Sequence, residues 1–267
     1  MITLRAAVFN AAFYLSCLVI GIAVLPGLLL PRGFMQGVGK YWSRYSLWLL
    51  KVIVGTRWEI RGSERIPKGP AIFAIKHQSA WDTLFFPAYL GNPAMIAKKE
   101  LRLIPFYGWY SWRAGTIWVD RKRGPAALRE LVRGARAALD EGRVIAVFPQ
   151  GTRTRSGQVA PYQPGIAALY AGTDAPVVPV ALNSGLFWPR RGFVKRPGTI
   201  VVEFLDPIPP GLSRAAFMET LQHRIDTKTA ALEAEAGLPP PIAPEMPASA
   251  AGPRPAAVKD VVDNSVD

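Results

Sequence analysis

The sequence predicts an α/β fold, a mostly parallel mixed sheet flanked by helices, with an N-terminal hydrophobic helical membrane anchor. Three observations predict it. No charged residue occurs from Ala6 to Leu30. Beyond residue 55, short β-rich runs alternate with helical stretches, the pattern of βαβ units around a parallel sheet. Several of those runs are continuously apolar rather than alternating, as strands covered on both faces are.

The anchor comes first. AAVFNAAFYLSCLVIGIAVLPGLLL, residues 6–30, exceeds the roughly 20 apolar residues that cross a bilayer as a helix. Pro26-Gly27 interrupts its far end. A secretory signal peptide is the competing reading, but its apolar region is usually about 7–15 residues long and ends at a small-residue cleavage site; here LLLPRG follows. A second apolar patch, SLWLLKVIVG at 46–55, has Tyr41, Trp42, Tyr45 and Trp48 around it, residues suited to a membrane–water boundary. A membrane hairpin or an in-plane anchor is therefore expected over residues 1–55, in preference to buried helices of a soluble core.

The α/β domain is expected over residues 56–236. Its candidate strands are TRWEIRG (56–62), AIFAIK (71–76), AMIAKK (94–99), TIWVD (116–120), VIAVFP (144–149), VVPVAL (177–182) and TIVVEF (199–204). Pro179 is awkward in a central strand and predicts a bend or an edge. The clearest helix is 125–142, where Leu128, Leu131, Val132, Ala135, Ala138 and Leu139 form one apolar stripe and Gly142 supplies a stop. Another spans about 213–236, with Ser213 as N-cap; Ala216 three places on excludes a capping box. Residues 237–267, rich in Pro and Ala and without apolar periodicity, read as a disordered tail.

Charge and cysteine usage restrict the partners. The formal net charge is +13, from 32 basic and 19 acidic residues. Such an excess favours anionic partners: nucleic acid, phosphorylated metabolites, acidic carrier proteins or an anionic lipid surface. No helix-turn-helix, zinc-finger or RNA-binding strand pattern is present, so no nucleic-acid partner is expected. Cys17 is the single cysteine, which excludes an internal disulfide and a multi-cysteine metal site.

The chemistry-bearing residues sit at predicted strand ends, where open α/β sheets gather their ligands. His77 follows AIFAIK, and Asp82 lies near the start of the next helical stretch. Five residues apart on one helix they would diverge by about 140°; a strand-to-helix turn lets them meet. A carboxylate on one imidazole nitrogen fixes the tautomer and leaves the other nitrogen to take a proton. The plainer reading is a surface histidine beside a helix-capping aspartate. FPQGTRTRSG, 148–157, follows the strand VIAV and offers Gly151 for close backbone approach, with hydroxyls and guanidinium groups suited to a phosphate. TIWVDRKRG, 116–124, repeats the arrangement with Asp120 and Arg121; Lys122 and Arg123 read as an ordinary charged loop. Ser79 is an alternative nucleophile. His223 reads as a structural or surface residue. FYGWYSW, 106–112, fits an acyl tunnel, a membrane interface or core.

In these blocks the chain resembles the 1-acyl-sn-glycerol-3-phosphate (lysophosphatidic acid) acyltransferases and their relatives among the glycerolipid acyltransferases. The family pattern N-H-x-x-x-x-D corresponds to Lys76, His77 and Asp82. Its glycine-led block ending in Asp-Arg corresponds to Gly115-Thr-Ile-Trp-Val-Asp120-Arg121, F-P-E-G-T-R-S to Phe148-Pro149-Gln150-Gly151-Thr152-Arg153-Thr154, and the V-P-V block to Val177-Val178-Pro179-Val180. Each block alone is weak; four in order are specific. The resemblance implies the glycerolipid acyltransferase fold. It implies transfer of a fatty acyl group from acyl-CoA or acyl carrier protein to the sn-2 hydroxyl of a lysophospholipid, giving phosphatidic acid. His77 would be the general base, Asp82 its orienting partner, and Arg121, Gly151, Thr152 and Arg153 the binders of the acceptor phosphate. No metal or other cofactor is implied, and the place of work is the inner (cytoplasmic) membrane, with its lipids as partners and the site facing the cytoplasm. Lys76, Gln150 and Thr154 replace the usual Asn, Glu and Ser; Lys76 and Gln150 leave another lyso-lipid, such as lyso-ornithine lipid, as an alternative acceptor.

Overall fold

The computed structural model describes residues 1–237. The stretch expected as a disordered tail lies, from residue 238 on, outside the described residues.

All the expected strands form, and they make one sheet. β1 (Thr56–Arg61), β2 (Ile72–Ile75), β3 (Ala94–Lys98), β4 (Ile117–Val119), β5 (Ile145–Val147), β6 (Val177–Leu182) and β7 (Gly198–Phe204) are ordered β1-β7-β6-β2-β5-β3-β4. Pairing is parallel throughout except between β6 and β7. The central strands β2, β5 and β6 are wholly buried, which is why they read as unbroken apolar runs.

Side-chain alternation along β2 divides the core into two layers. Phe73 and Ile75 face one layer, with Trp81, Phe85 and Phe86 of α3 (Ala80–Tyr89). Ile72 and Ala74 face the other, with Leu131 and Ala135 of α5 (Pro125–Asp140), Ile166 and Leu169 of α6 (Pro164–Gly172), and Phe217, Leu221 and Ile225 of α8 (Arg214–Glu235). The predicted helix ends hold: Gly142 has φ +73°, and Ser213 Oγ accepts the Ala216 N–H at 3.2 Å.

The same alternation decides what the next two residues do. Lys76 continues the Ile72 face and reaches α8, where its Nζ donates to Asp226 Oδ1 at 2.8 Å; His77 continues the Phe73 face toward α3. The lysine that departs from the family pattern is thus a buried ion-pair partner beneath the sheet. Tyr162 also donates to Asp226 Oδ1, at 3.3 Å, and burial, with Asp226 beside it, pushes the Tyr162 hydroxyl above its usual range. Removing one member of a buried pair costs about 3–5 kcal/mol because the other charge is left uncompensated. Lys76→Met is expected to lower stability by about 3 kcal/mol, read as a fall in the urea midpoint. Lys76→Met/Asp226→Leu should recover most of it, and an unchanged midpoint in the single variant would contradict the pairing.

Pro179 is a correction. It lies in the interior of the sheet, with β2 on one side and β7 on the other, not at an edge. Ile72 donates to Pro176 O and Lys76 to Val180 O, so the even-numbered residues of β6 bond to β2 and Pro179 faces β7. There the ladder lapses between the Val180–Phe204 pair and the Val177–Ile208 bridge, and Pro179 O accepts Leu205 N–H at 2.9 Å. The missing donor falls where no acceptor needs it.

The first 55 residues are helical, as expected. α1 (Ile2–Ala23) leads through a 3-10 turn at Leu25–Leu29, started by Pro26, to α2 (Arg32–Leu49) and a π turn ending before Gly55. α1 is long and apolar enough to cross a membrane: among its 22 residues only Arg5 is charged. It is nonetheless held along its length. Phe9 and Phe13 meet Trp188 edge-on, Asn10 Oδ1 accepts from Lys195 Nζ at 2.6 Å, and Ser16 Oγ accepts from Trp42 Nε1 of α2 at 3.4 Å. Its opposite face is exposed at Leu15, Leu18, Val19 and Ile22, as are Tyr41, Tyr45 and Trp48 of α2.

Candidate active site

Parallel strands β5, β2 and β6 end side by side, and the segments leaving them converge. Ser79 caps α3: its Oγ accepts Trp81 N–H at 3.0 Å, and Asp82 Oδ2 reaches back to accept Ser79 N–H at 2.9 Å, completing a capping box. Asp82 Oδ2 also accepts Gln78 N–H at 2.8 Å and stands 2.8 Å from His77 Nδ1. Its Oδ1 accepts the hydroxyl of Ser184, at the start of α7 (Ser184–Phe187), at 2.6 Å. Helix cap and histidine partner are therefore one carboxylate, and the cap is what fixes it. Asp82 is fully buried, whereas the His77 side chain keeps 12 % of its surface. His77 Nε2 makes no hydrogen bond among the described residues.

The turn after β5 wraps His77. Gln150 Oε1 accepts His77 N–H at 3.2 Å, while Thr154 donates to His77 O through its N–H at 2.8 Å and its hydroxyl at 3.1 Å. The Phe148 ring stacks on the imidazole, with centroids 3.9 Å apart at 17°. Backbone, ring and Nδ1 are thereby all held, and only Nε2 is left to act.

The other expected residues lie on the same turn or against it. Gly151 has φ +64°, and a Cβ there would strike the Arg121 guanidinium; Arg121 Nη2 donates to Gly151 O at 3.1 Å. Arg121 opens the 3-10 turn after β4, capped by Asp120, whose carboxylate accepts Lys122 N–H at 3.2 Å. Lys99 beside Asp120 holds its carboxyl below the usual range. Thr152 is exposed and Arg153 half-buried. Their N–H groups have no acceptor among the described residues, and successive free N–H groups after a left-handed glycine form an anion-binding concavity. Among the described residues no carboxylate pairs with Arg121 or Arg153, while Arg123 pairs with Glu130, as an ordinary loop charge does.

Ser79 is not a nucleophile in this arrangement: its hydroxyl serves the helix cap and is fully buried. His223 lies exposed on α8, as expected. Sequence reasoning missed Phe148, Ser184, the contact of Gln150 with the His77 main chain, and Arg190, whose Nη1 donates to Arg153 O at 2.8 Å. Phe148 and Gln150 stood within a quoted block. Ser184 and Arg190 carried no local signal and are delivered by the adjacency of β6 and β2.

Known proteins resemble this chain in sequence and in fold. The family model described as Acyltransferase matches residues 57–183. The 1-acyl-sn-glycerol-3-phosphate acyltransferase of Pseudomonas aeruginosa is 37% identical over 171 residues, 64% of this chain and 66% of its own length. The human 1-acyl-sn-glycerol-3-phosphate acyltransferase alpha is 32% identical over 169 residues, 62% of this chain and 60% of its own. These stretches span less than two thirds of the relatives' lengths. The crystal structure of the 1-acyl-sn-glycerophosphate (LPA) acyltransferase PlsC from Thermotoga maritima superposes with TM-score 0.71 at 24% identity, covering 88% of this chain and 98% of that one, a likeness of fold. Residues 57–183, which carry the converging segments of the site, thus form an acyltransferase-family domain.

Proposed function

We propose that this chain is a 1-acylglycerol-3-phosphate O-acyltransferase, working by direct transfer from acyl-CoA or acyl carrier protein. The observation that carries this reading is the His77–Asp82 pair with Nε2 unengaged, set against a turn that offers free N–H groups and guanidinium groups without acidic partners. The acceptor's phosphate lies against Arg121, Gly151, Thr152 and Arg153, which brings its sn-2 hydroxyl to His77. Nε2 removes the hydroxyl proton as the oxygen attacks the thioester carbonyl carbon. Asp82 stabilises the imidazolium. The tetrahedral intermediate collapses, the C–S bond breaks, and the leaving thiolate takes the proton from Nε2. A thioester is already activated, so no metal or other cofactor enters the scheme.

The lipid substrate and the anchor belong together. Contacts along the whole of α1 favour an in-plane anchor, with the exposed apolar face in one leaflet. The site then faces the cytoplasm from the inner membrane, with anionic head groups drawn to the basic surface. The neutral Gln150 favours a second reading, an acceptor such as lyso-ornithine lipid, because a charge common in the family is absent beside the head-group turn. The deciding experiment offers purified protein radiolabelled lysophosphatidate or lyso-ornithine lipid with each thioester donor and identifies the product. Phosphatidic acid is expected; product from lyso-ornithine lipid alone would overturn the assignment of the acceptor.

Gly151 tests the head-group turn. Gly151→Ala forces a side chain into a left-handed backbone and displaces Arg121. Losing one charge-assisted hydrogen bond costs about 1.5–3 kcal/mol, so KM for lysophosphatidate should rise by roughly tenfold or more. The KM of the thioester donor should hold. Steady-state kinetics with each substrate varied in turn checks this, and a rise confined to the donor would contradict it.

A further inference from the structure

We propose that the segment Lys99–Arg113, a 3-10 turn followed by α4 (Tyr107–Arg113), is a second membrane footing that enters the same lipid interface as α1. The segment contains FYGWYSW, for which the sequence left tunnel, interface and core open. Its large apolar side chains lie outward: Leu103 is 82% exposed, and Ile104, Tyr107, Trp109 and Trp112 are exposed too. A contiguous exposed apolar patch of this kind marks an interaction surface.

What covers it follows from what it adjoins. Tyr110 donates to Gly21 O, and Arg113 donates to Leu28 O at 3.0 Å and to Leu30 O. The Phe106 ring lies so close over Gly21 that a Cβ there would stand 3.0 Å from it. Phe106 itself has φ +61°, an uncommon conformation for a bulky residue. The segment is therefore fastened to the end of α1 whose neighbours Leu18, Val19, Ile22, Leu29 and Leu30 are exposed, and the two form one apolar surface. Cations border it: Arg102 stands over the Trp112 ring at 5.3 Å, with Lys99 and Arg113 at the ends of the segment. Exposed Trp and Tyr with flanking basic residues fit an anionic phospholipid interface, where rings sit at head-group level and cations meet phosphates. The footing also leads to the site, because Lys99 Nζ holds Asp120 Oδ2 at 3.1 Å and Asp120 caps the turn that opens with Arg121. Seated in lipid, the segment sets Arg121 at head-group level, a consequence that rests on the proposed acceptor.

The test uses the full chain with Cys17, its single cysteine, replaced by Ser. Leu103→Cys, or Glu219→Cys on the exposed side of α8 as control, carries an environment-sensitive fluorophore. With phosphatidylglycerol vesicles the label at 103 is expected to shift to the blue and resist an aqueous quencher, while the label at 219 does neither. A label at 103 that stays quenchable overturns the proposal, whether the protein binds the vesicles without it, which would leave the patch to a protein partner, or does not bind them at all. This readout does not depend on catalysis. Separately, Trp109→Ser/Trp112→Ser should slow acylation of vesicle-embedded lysophosphatidate by about tenfold or more, the scale of losing two interfacial aromatics. Its rate on a water-soluble short-chain lysophosphatidate should be unchanged. Equal loss on both acceptors would overturn the footing, and no activity of the unsubstituted protein on either would instead sink the acyltransferase reading alone.

Discussion

Replacing His77 with Ala is expected to lower kcat by about 10²–10⁴-fold, the range a positioned general base supplies, without unfolding the protein. The fold survives because the carboxylate beside it stays satisfied: Asp82 still receives Gln78 N–H, Ser79 N–H and the Ser184 hydroxyl, so the cap of α3 holds. What disappears is the imidazole between Asp82 and the Phe148 ring, and with it the group that accepts the alcohol's proton. KM for the acceptor should change little, since its phosphate is assigned to residues 121 and 151–153. Steady-state kinetics beside thermal unfolding reads both effects. A variant that folds and keeps wild-type kcat would end the proposed mechanism, whatever its lipid binding.

Asp82 gives the second large effect, and its two substitutions should differ. Donors converge on Oδ2 from His77, Gln78 and Ser79, and an asparagine must leave its carbonyl oxygen there, because an NH₂ group would face two backbone N–H groups. Its NH₂ then faces Ser184, whose hydroxyl can turn to accept. Asp82→Asn therefore keeps the cap and the imidazole tautomer and loses only the charge opposite the imidazolium. A charge pair at about 4 Å is worth about 4 kcal/mol at an effective dielectric of 20. Because the amide dipole keeps part of that, kcat should fall roughly 10²–10³-fold. Asp82→Ala instead strands buried donors at about 1–3 kcal/mol each and should lower the unfolding midpoint sharply. If the asparagine variant lost stability as the alanine variant does, the assigned hydrogen-bond pattern would be wrong.

Much of this architecture was legible because burial leaves a mark on sequence. β2, β5 and β6 lie within the sheet between two helical layers, so IFAI, IAV and VVPVAL are unbroken apolar runs. α5 buries one stripe and shows it. The direction of β7 was not legible: TIVVEF reads the same parallel or antiparallel, and only the path through residues 188–197 turns it round. Pro179 misled because strand position alone does not tell which neighbour a residue bonds to. At the site, His77 and Asp82 were readable, since the strand-to-helix turn that joins them is local. The two readings offered for Asp82, helix cap or partner of His77, do not compete, since one carboxylate oxygen accepts Ser79 N–H and stands 2.8 Å from His77 Nδ1. Ser184 and Arg190 were not readable, because their places depend on β6 lying beside β2, a fact of topology and not of spacing. Gln150 stood out as a departure, but its bond to the His77 N–H belongs to the fold of the turn.

Everything proposed for the chemistry requires His77 to carry its proton on Nδ1, toward Asp82, and to present a bare Nε2 to the lipid alcohol. The chain has only His77 and His223, so nitrogen-15 NMR of histidine-labelled protein resolves the two imidazoles, with the exposed His223 as internal reference. In the neutral form His77 is expected to show a protonated Nδ1 and an unprotonated Nε2, unchanged in Asp82→Asn. A neutral His77 whose proton resides on Nε2 would contradict the account.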